Sequence, residues 1–505
     1  MIAPPKAETL TKPARLLRRA KAAAAPSIAA VGDQERHLVM DTRPEPFEPP
    51  APVPRTGIPS RLQIIRTVLR NPLELWGEPS YTLPWIETKF INQRTLIVND
   101  PGLIRYILVE NAANYEMSEV RRLILRPILR DGLLTAEGEV WRRSRKAMAP
   151  VFTPRHAKGF AGQMLRVSET FVERYERAAS EPFVSNIAVD MTELTFEILA
   201  ETLFSGEIAV EKEGFAANVE QLLQRMGRVD PMDLLVAPKW VPRLTRIGGR
   251  KVLDRFRGVV SETMAQRRRR MAQEPESVPN DFLTLLLQLE GPDGLSTDEI
   301  EDNILTFIGA GHETTARALA WCLYCIANTP AYREIMEREI DVVFASGADP
   351  VDWLGRMPHV LAAFEEALRL YPPAPSINRA AIEEDEWTSP EGEHVAIRKG
   401  ISVLIMPWTL HRHALYWQKP RAFMPERFLP ENREKINRFQ YLPFGAGPRV
   451  CIGATFALQE AIIAIAVLMR RFRFDPTEAT DPWPVQRLTT QPKGGLPMQV
   501  TLRAR

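Results

Sequence analysis

Apolar residues recur at helical spacing through most of the chain from about Gly57 to Leu370. The pattern predicts helices over 139–148, 157–177, 191–204, 219–226, 250–270, 280–289, 297–328 and 331–344. One more runs over 361–370, where Pro372 and Pro373 stop it, since proline lacks an amide hydrogen and clashes with the preceding turn. Alternating stretches are fewer. Residues 85–98 read as two short strands, and Asn99-Asp100-Pro101 as the turn and cap of a helix over 102–111. Beyond Pro373 short strands and turns take over, interrupted by a long helix over 454–471 and closing on a strand-like stretch at 498–502. There is no internal repeat. The class is mainly α with a smaller β portion, α+β.

The first 56 residues depart from this pattern. Residues 14–21 are basic and lead into four alanines, and 44–54 is rich in proline, a composition that favours extended, unpacked backbone. We therefore assign 1–56 to a disordered tail and 57–505 to one large globular domain, with a membrane-surface helix as the alternative for the basic stretch. A secretory signal needs an apolar region of about 7 to 15 residues, which is missing. No stretch approaches the roughly 20 apolar residues of a transmembrane helix.

Charge narrows the function classes. The chain has 65 Lys+Arg against 63 Asp+Glu, a net +2, without the concentrated basic charge of a nucleic-acid binder. Three cysteines supply no disulfide framework and are too few for a four-cysteine zinc or iron–sulfur site, which fits a reducing cytoplasm. Cys322 and Cys325 are spaced as a redox pair, but they fall in mid-helix among Leu319, Trp321, Leu323 and Ile326. Without the strand-to-helix turn that such pairs use, they read as core.

Cys451 is different. It ends the run Phe444-Gly445-Ala446-Gly447-Pro448-Arg449-Val450-Cys451-Ile452-Gly453, a glycine-rich loop entering a helix. Glycines let the backbone fold around the sulfur, and loop amides and the helix N-terminus favour the thiolate, the form that ligates metal. Taken alone, the loop also fits a buried free cysteine at a helix start.

Other motifs accompany it. The predicted helix over 297–328 contains Ala310-Gly311-His312-Glu313-Thr314-Thr315, where small residues free space on one face beside a carboxylate and a hydroxyl. Thr314 could equally bond back to the carbonyl of residue 310. A zincin reading of His312-Glu313 fails, since position 316 is alanine. Glu366 and Arg369 share a helix face, and Pro425-Glu426-Arg427-Phe428 follows downstream. Trp141 and Arg145 share another.

In order and spacing from about Gly57 onward these motifs resemble the cytochromes P450: the haem-binding Phe-x-x-Gly-x-Arg-x-Cys-x-Gly, the oxygen-activation segment, Glu-x-x-Arg with its partner arginine, and Trp-x-x-x-Arg. The resemblance implies the mainly helical P450 fold around haem b, with Cys451 as iron ligand and Phe444 and Gly453 in the haem loop. It implies propionate contacts from Trp141, Arg145, Arg379 and Arg449, and a structural cluster of Glu366, Arg369 and Arg427. Glu313 and Thr314 would relay the protons that O–O cleavage consumes. Substrate-facing residues are expected within 114–134, 219–236, 305–310, 375–378 and 489–496.

The implied reaction inserts one atom of O2 into an apolar substrate, with electrons from NAD(P)H. The chain carries no flavin or iron–sulfur domain after Cys451, so a separate ferredoxin or flavodoxin with its reductase is the expected partner. Arg142, Arg143 and Lys146 form a basic patch that could receive an acidic donor. A haem-thiolate peroxygenase, isomerase or dehydratase would dispense with the Glu313–Thr314 pair, and a haem-based gas sensor or carrier would need no substrate pocket.

Overall fold

The computed structural model describes residues 45–503 apart from 91–92, 179–181, 209–229, 235–239, 242, 244–248 and 293. The expected helix over 219–226 and the basic stretch 14–21 therefore lie outside the described residues.

The body runs from Pro46 and so includes 46–56, which proline content places in the tail. Extended backbone need not be unpacked. Phe47 meets Tyr324 edge to face at 5.9 Å, Ala51 is buried, and the Pro50 carbonyl accepts from the Tyr371 hydroxyl at 2.7 Å. Helix α1 (Arg61–Arg70) follows, opened by a capping box between Ser60 and Gln63 that the sequence reading passed over.

Strands β1 (Trp85–Phe90) and β2 (Gln93–Val98) pair antiparallel as expected. The helix expected over 102–111 is α2 (Pro101–Arg105), capped by Asp100, running into a wider π-turn over Tyr106–Glu110. Next come β3 (Tyr115–Met117) and α3 (Glu119–Leu129), the latter not predicted because Pro127 sits inside it. Proline near a helix end removes one donor without breaking earlier turns.

The middle of the chain is helical: α4 (Gly138–Met148), α5 (Ala161–Ala178), α6 (Ile187–Phe204), α7 (Gly249–Gln273), α8 (Thr297–Ala327), α9 (Pro330–Ala345) and α10 (Pro358–Leu370). The single helix expected over 157–177 is split, with Pro154–Gly159 a separate turn. Helix α8 starts at a capping box of Ser296 and Glu299 and is buried around most of its circumference beyond Thr315, as its apolar sequence requires. At 31 residues it spans about 46 Å at 1.5 Å per residue, a rod through the core. The last helix, α11 (Ala454–Arg471), packs against α5 and α8. No described helix is long and apolar enough to cross a membrane.

Of the later strands β4 (Phe183–Asn186), β5 (Ile377–Ala381), β6 (Asp385–Thr388), β7 (His394–Ile397) and β8 (Ser402–Ile405), β5 and β8 join the first three in the order β1-β2-β8-β5-β3, with β2 and β8 parallel. This sheet presents Asn378 and Arg379 from β5 beside Tyr115 and Met117 from β3. The remaining strands form a three-stranded sheet and two hairpins.

Two tight junctions fix the interior. Where the segment after α3 crosses α8, the Leu133 amide donates to Asn303 Oδ1 at 2.7 Å, and a Cβ on Gly132 would lie 2.1 Å from Thr306 Oγ1. Backbone and helix touch there, and only glycine fits.

The second junction is the Glu366–Arg369 pair on α10. It is bidentate at 2.6 and 2.8 Å, and both side chains are fully buried. Arg369 also donates to the carbonyls of His411, Pro420 and Ala422, and Glu366 accepts from the Met424 amide at 2.8 Å and Arg427 Nε at 3.4 Å. The buried charges are thus fully coordinated. We expect Arg369→Ala to cost roughly 3 to 5 kcal/mol, because it strands the Glu366 carboxylate away from water. Denaturant unfolding, or the yield of soluble protein if the variant fails to fold, checks this; a wild-type midpoint would contradict it.

Candidate active site

The segment 444–453 folds back on itself. Gly445 and Gly447 both have φ of +72°, the Val450 amide donates to Gly447 at 3.0 Å, and the Cys451 amide donates to Phe444 at 2.9 Å. A Cβ on Gly447 would stand 1.7 Å from the Leu108 carbonyl oxygen, so the loop is pressed against the π-turn backbone. The result holds Cys451 at a cavity wall, its sulfur approached by the Gly453 amide.

Burial pushes the Cys451 thiol above its ordinary value, and the Gly453 amide and Arg145 offset that only in part. The loop dipoles alone therefore do not make a thiolate. Ligation of a metal would release that proton.

The cavity has a volume of about 420 Å³. Trp141, Arg145, Thr314, Arg379, Phe444, Arg449, Cys451 and Gly453, eight of the nine site residues expected from sequence, line it. The ninth, Glu313, is buried behind the wall and accepts from Thr489 Oγ1 at 2.7 Å, with Arg317 at 3.9 Å. Thr489 itself lines the cavity. Thr314 Oγ1 donates to the Ala310 carbonyl at 2.8 Å, the back-bonding geometry open to any helical threonine. Of the expected substrate-facing segments, 114–134, 305–310 and 375–378 contribute, as does 489–496 through Thr489.

Three arginines converge on the same space. Arg449 pairs with Glu137 and lies 4.2 Å above the Trp141 ring; Arg379 donates to the Asn378 carbonyl at 3.0 Å; Arg145 is next to Cys451. Burial lowers the pKa of Arg379 and of Arg449 to about 10, so both remain charged at neutral pH. With Arg121 also in the lining, one carboxylate among four guanidiniums leaves room for further anions. A sulfur ligand, a glycine cradle and surplus cations suit haem, with its iron and its two propionates.

The family model for Cytochrome P450 matches residues 81–498. The chain belongs to the cytochrome P450 family. Among P450 relatives, Protein LUTEIN DEFICIENT 5, chloroplastic, of Arabidopsis thaliana is 28% identical, over 81% of this chain and 70% of that protein. Cytochrome P450 3A27 of Oncorhynchus mykiss is 30% identical over 77% of both chains. The crystal structure of the cytochrome P450DA heme domain superposes with a TM-score of 0.71 at 25% identity, covering 83% of this chain and 90% of that one. This P450 is a haem-thiolate monooxygenase, and the peroxygenase, isomerase and sensor readings are not favoured.

Four P450 residues near the site were not singled out from the sequence, although Arg121 falls in the expected substrate-facing segment 114–134. Glu137 and Arg121 line the cavity but belong to no motif quoted above. His411 bridges two segments: its Nε2 accepts from the Leu442 amide at 2.8 Å, so its Nδ1, 3.3 Å from the Arg369 carbonyl, is the donor. Burial, aided by Arg369, lowers its pKa to about 3 and keeps it neutral. Glu460 on α11 is buried and hydrogen-bonded to Thr315; a lone glutamate in an apolar helix was the available signal.

Burial raises the Glu460 carboxyl from 4.5 to about 8. Between those pH values the unfolded chain ionises this group and the folded chain does not. Its contribution to stability is therefore fully present below pH 4.5 and is lost as pH rises through about 8. Glu460→Gln removes that dependence. Its stability relative to wild type should rise across this window by a few kcal/mol, on the order of 1.4 kcal/mol for each pH step of one. Denaturation midpoints of both proteins at several pH values test this, and parallel curves would refute it.

Proposed function

We propose that Cys451 would supply the thiolate ligand of haem b, with Phe444 and Gly453 shaping its loop and Trp141, Arg145, Arg379 and Arg449 holding the propionates. The observation that carries this reading is the Cys451 sulfur, opening on the cavity beneath the Gly453 amide and beside Arg145. When bound, the haem supplies O2 binding and activation, with the thiolate favouring O–O cleavage. The chain's own residues bind an apolar substrate, limit water and manage protons.

Proton handling falls to Glu313 and Thr314 in this proposal. Thr314 donates to Ala310, so its oxygen is left to accept from water or substrate in the cavity. Glu313 reaches the same space through the Thr489 hydroxyl, which can pass a proton by donating to the carboxylate and accepting from the cavity side.

Electrons come from NAD(P)H through a ferredoxin or flavodoxin with its reductase. Exposed Arg142, Arg143 and Lys146 on α4 suit an acidic partner, although Arg142 pairs with Glu139 and Arg143 with Glu299. The three free cysteines accord with the reducing cytoplasm.

Cys451→Ser should abolish the thiolate-shifted Soret band of the reduced carbon monoxide adduct, since serine is a harder, far less acidic donor. A mutant that kept the band would exclude Cys451 as ligand. Thr314→Ala should bind substrate nearly as wild type and consume NAD(P)H at a comparable rate, but divert more of it to hydrogen peroxide. Product formed per NAD(P)H consumed is the quantity to measure, and unchanged coupling would reduce Thr314 to helix packing.

A further inference from the structure

The run Glu383-Glu384-Asp385-Glu386 has the composition of a solvated acidic stretch, and three of its four side chains are exposed. Asp385, the first residue of β6, is half-buried. It accepts from the hydroxyls of Tyr106 and Tyr115, each at 2.7 Å, from Asn111 Nδ2 at 2.8 Å, from Asn114 Nδ2 at 3.4 Å and from the Glu386 amide at 2.9 Å. Burial works against its charge, but these bonds outweigh burial and hold the carboxyl below its ordinary pKa, so it stays ionised at neutral pH.

Four of the five donors belong to 106–115, and two of them bracket the π-turn over Tyr106–Glu110. Tyr106 opens that turn, Asn111 closes it, and their side chains also meet each other at 3.3 Å. Single π-turns are rare and cluster at functional sites. This one delivers the Leu108 carbonyl to Gly447, where any Cβ would stand 1.7 Å from the oxygen. Gly447 in turn accepts from the amide of Val450, the residue before Cys451. An unbroken path of direct contacts thus runs from Asp385 to the cysteine loop, although Asp385 itself does not line the cavity.

We propose that Asp385 is a positioning residue for the cysteine loop: by clasping both ends of the π-turn it holds the Leu108 carbonyl against Gly447 and so keeps Cys451 at its place in the cavity wall. The proposal rests on the haem-thiolate reading and deepens it by assigning a group outside the cavity to the geometry of the ligand. Charge is essential to the clasp, since an ionised carboxylate accepts on both oxygens whereas an amide in its place has one accepting oxygen and cannot serve all four side-chain donors.

The test compares the holoenzymes of wild type, Asp385→Ala, Asp385→Asn and, as a control, Arg174→Gln, which breaks the ion pair to Glu197 between α5 and α6. Two rates are followed in urea dilute enough to leave the helical circular dichroism intact: loss of the thiolate-shifted band of the reduced carbon monoxide adduct, and hydrogen exchange at the Val450 and Cys451 amides. Both should rise in Asp385→Ala by at least about tenfold, the scale of one lost hydrogen bond to a charged group. Asp385→Asn should fall between it and the wild type, and Arg174→Gln should match the wild type.

Equal rates in Asp385→Ala and wild type would overturn the proposal. So would an equal acceleration in Arg174→Gln, which would reduce Asp385 to general stability. Should Asp385→Ala fail to fold, Tyr106→Phe removes one donor and keeps the ring; it should raise both rates, and unchanged rates would again overturn the proposal. Amide exchange is read whether or not iron is ligated. A wild type without the thiolate-shifted band therefore counts against the haem-thiolate reading, and unaccelerated exchange counts against this one.

Discussion

Glu366 and Arg369 are both fully shielded from water, and the loops that carry the cysteine are organised from that pair outward. A lone buried ion pair is a weak source of stability, because desolvation cancels much of its attraction. Here the remaining donors of Arg369 and one oxygen of Glu366 gather backbone from 411–424. The chain continues through His411, which reads the Arg369 carbonyl on one side and the Leu442 amide on the other. Leu442 itself lines the cavity two residues before the Cys451 loop begins. Charge placed in α10 thus becomes geometry at the sulfur.

The electrostatics of the cavity follow a second constraint. Its cations are spread over α3, α4, β5 and the cysteine loop, so no single element positions them. Glu137 ties two of these regions, accepting from the Met117 amide at 2.9 Å while pairing with Arg449. The same carboxylate therefore joins the sheet edge to the cysteine loop and moderates the positive field there.

Legibility from sequence followed the range of the signal. Helices with a strong apolar stripe, such as α8 and α9, were readable nearly to the residue, because local periodicity reports burial. Motifs with rigid spacing picked out eight side chains that line one cavity. Glu313 reads from sequence as lying beside the open space but sits behind its wall, since helix spacing gives its face and not the Thr489 hydroxyl arriving from the far end of the chain. Residues 46–56 read as tail because proline content describes backbone conformation and says nothing of Tyr371 waiting for the Pro50 carbonyl. Arg121 carries no local pattern, and only three-dimensional neighbours distinguish it from a surface charge, whereas Glu460 stands out as a lone carboxylate in an apolar helix.

The contact between Gly447 and Leu108 is made by a backbone oxygen, and that choice has an evolutionary consequence. When two side chains clash, drift at either position can restore the fit. No replacement at 108 shortens its carbonyl, so substitution at 447 has no compensating partner in the segment it touches. Position 447 is thus held to one amino acid by a neighbour's backbone, whichever apolar side chain position 108 carries into the core.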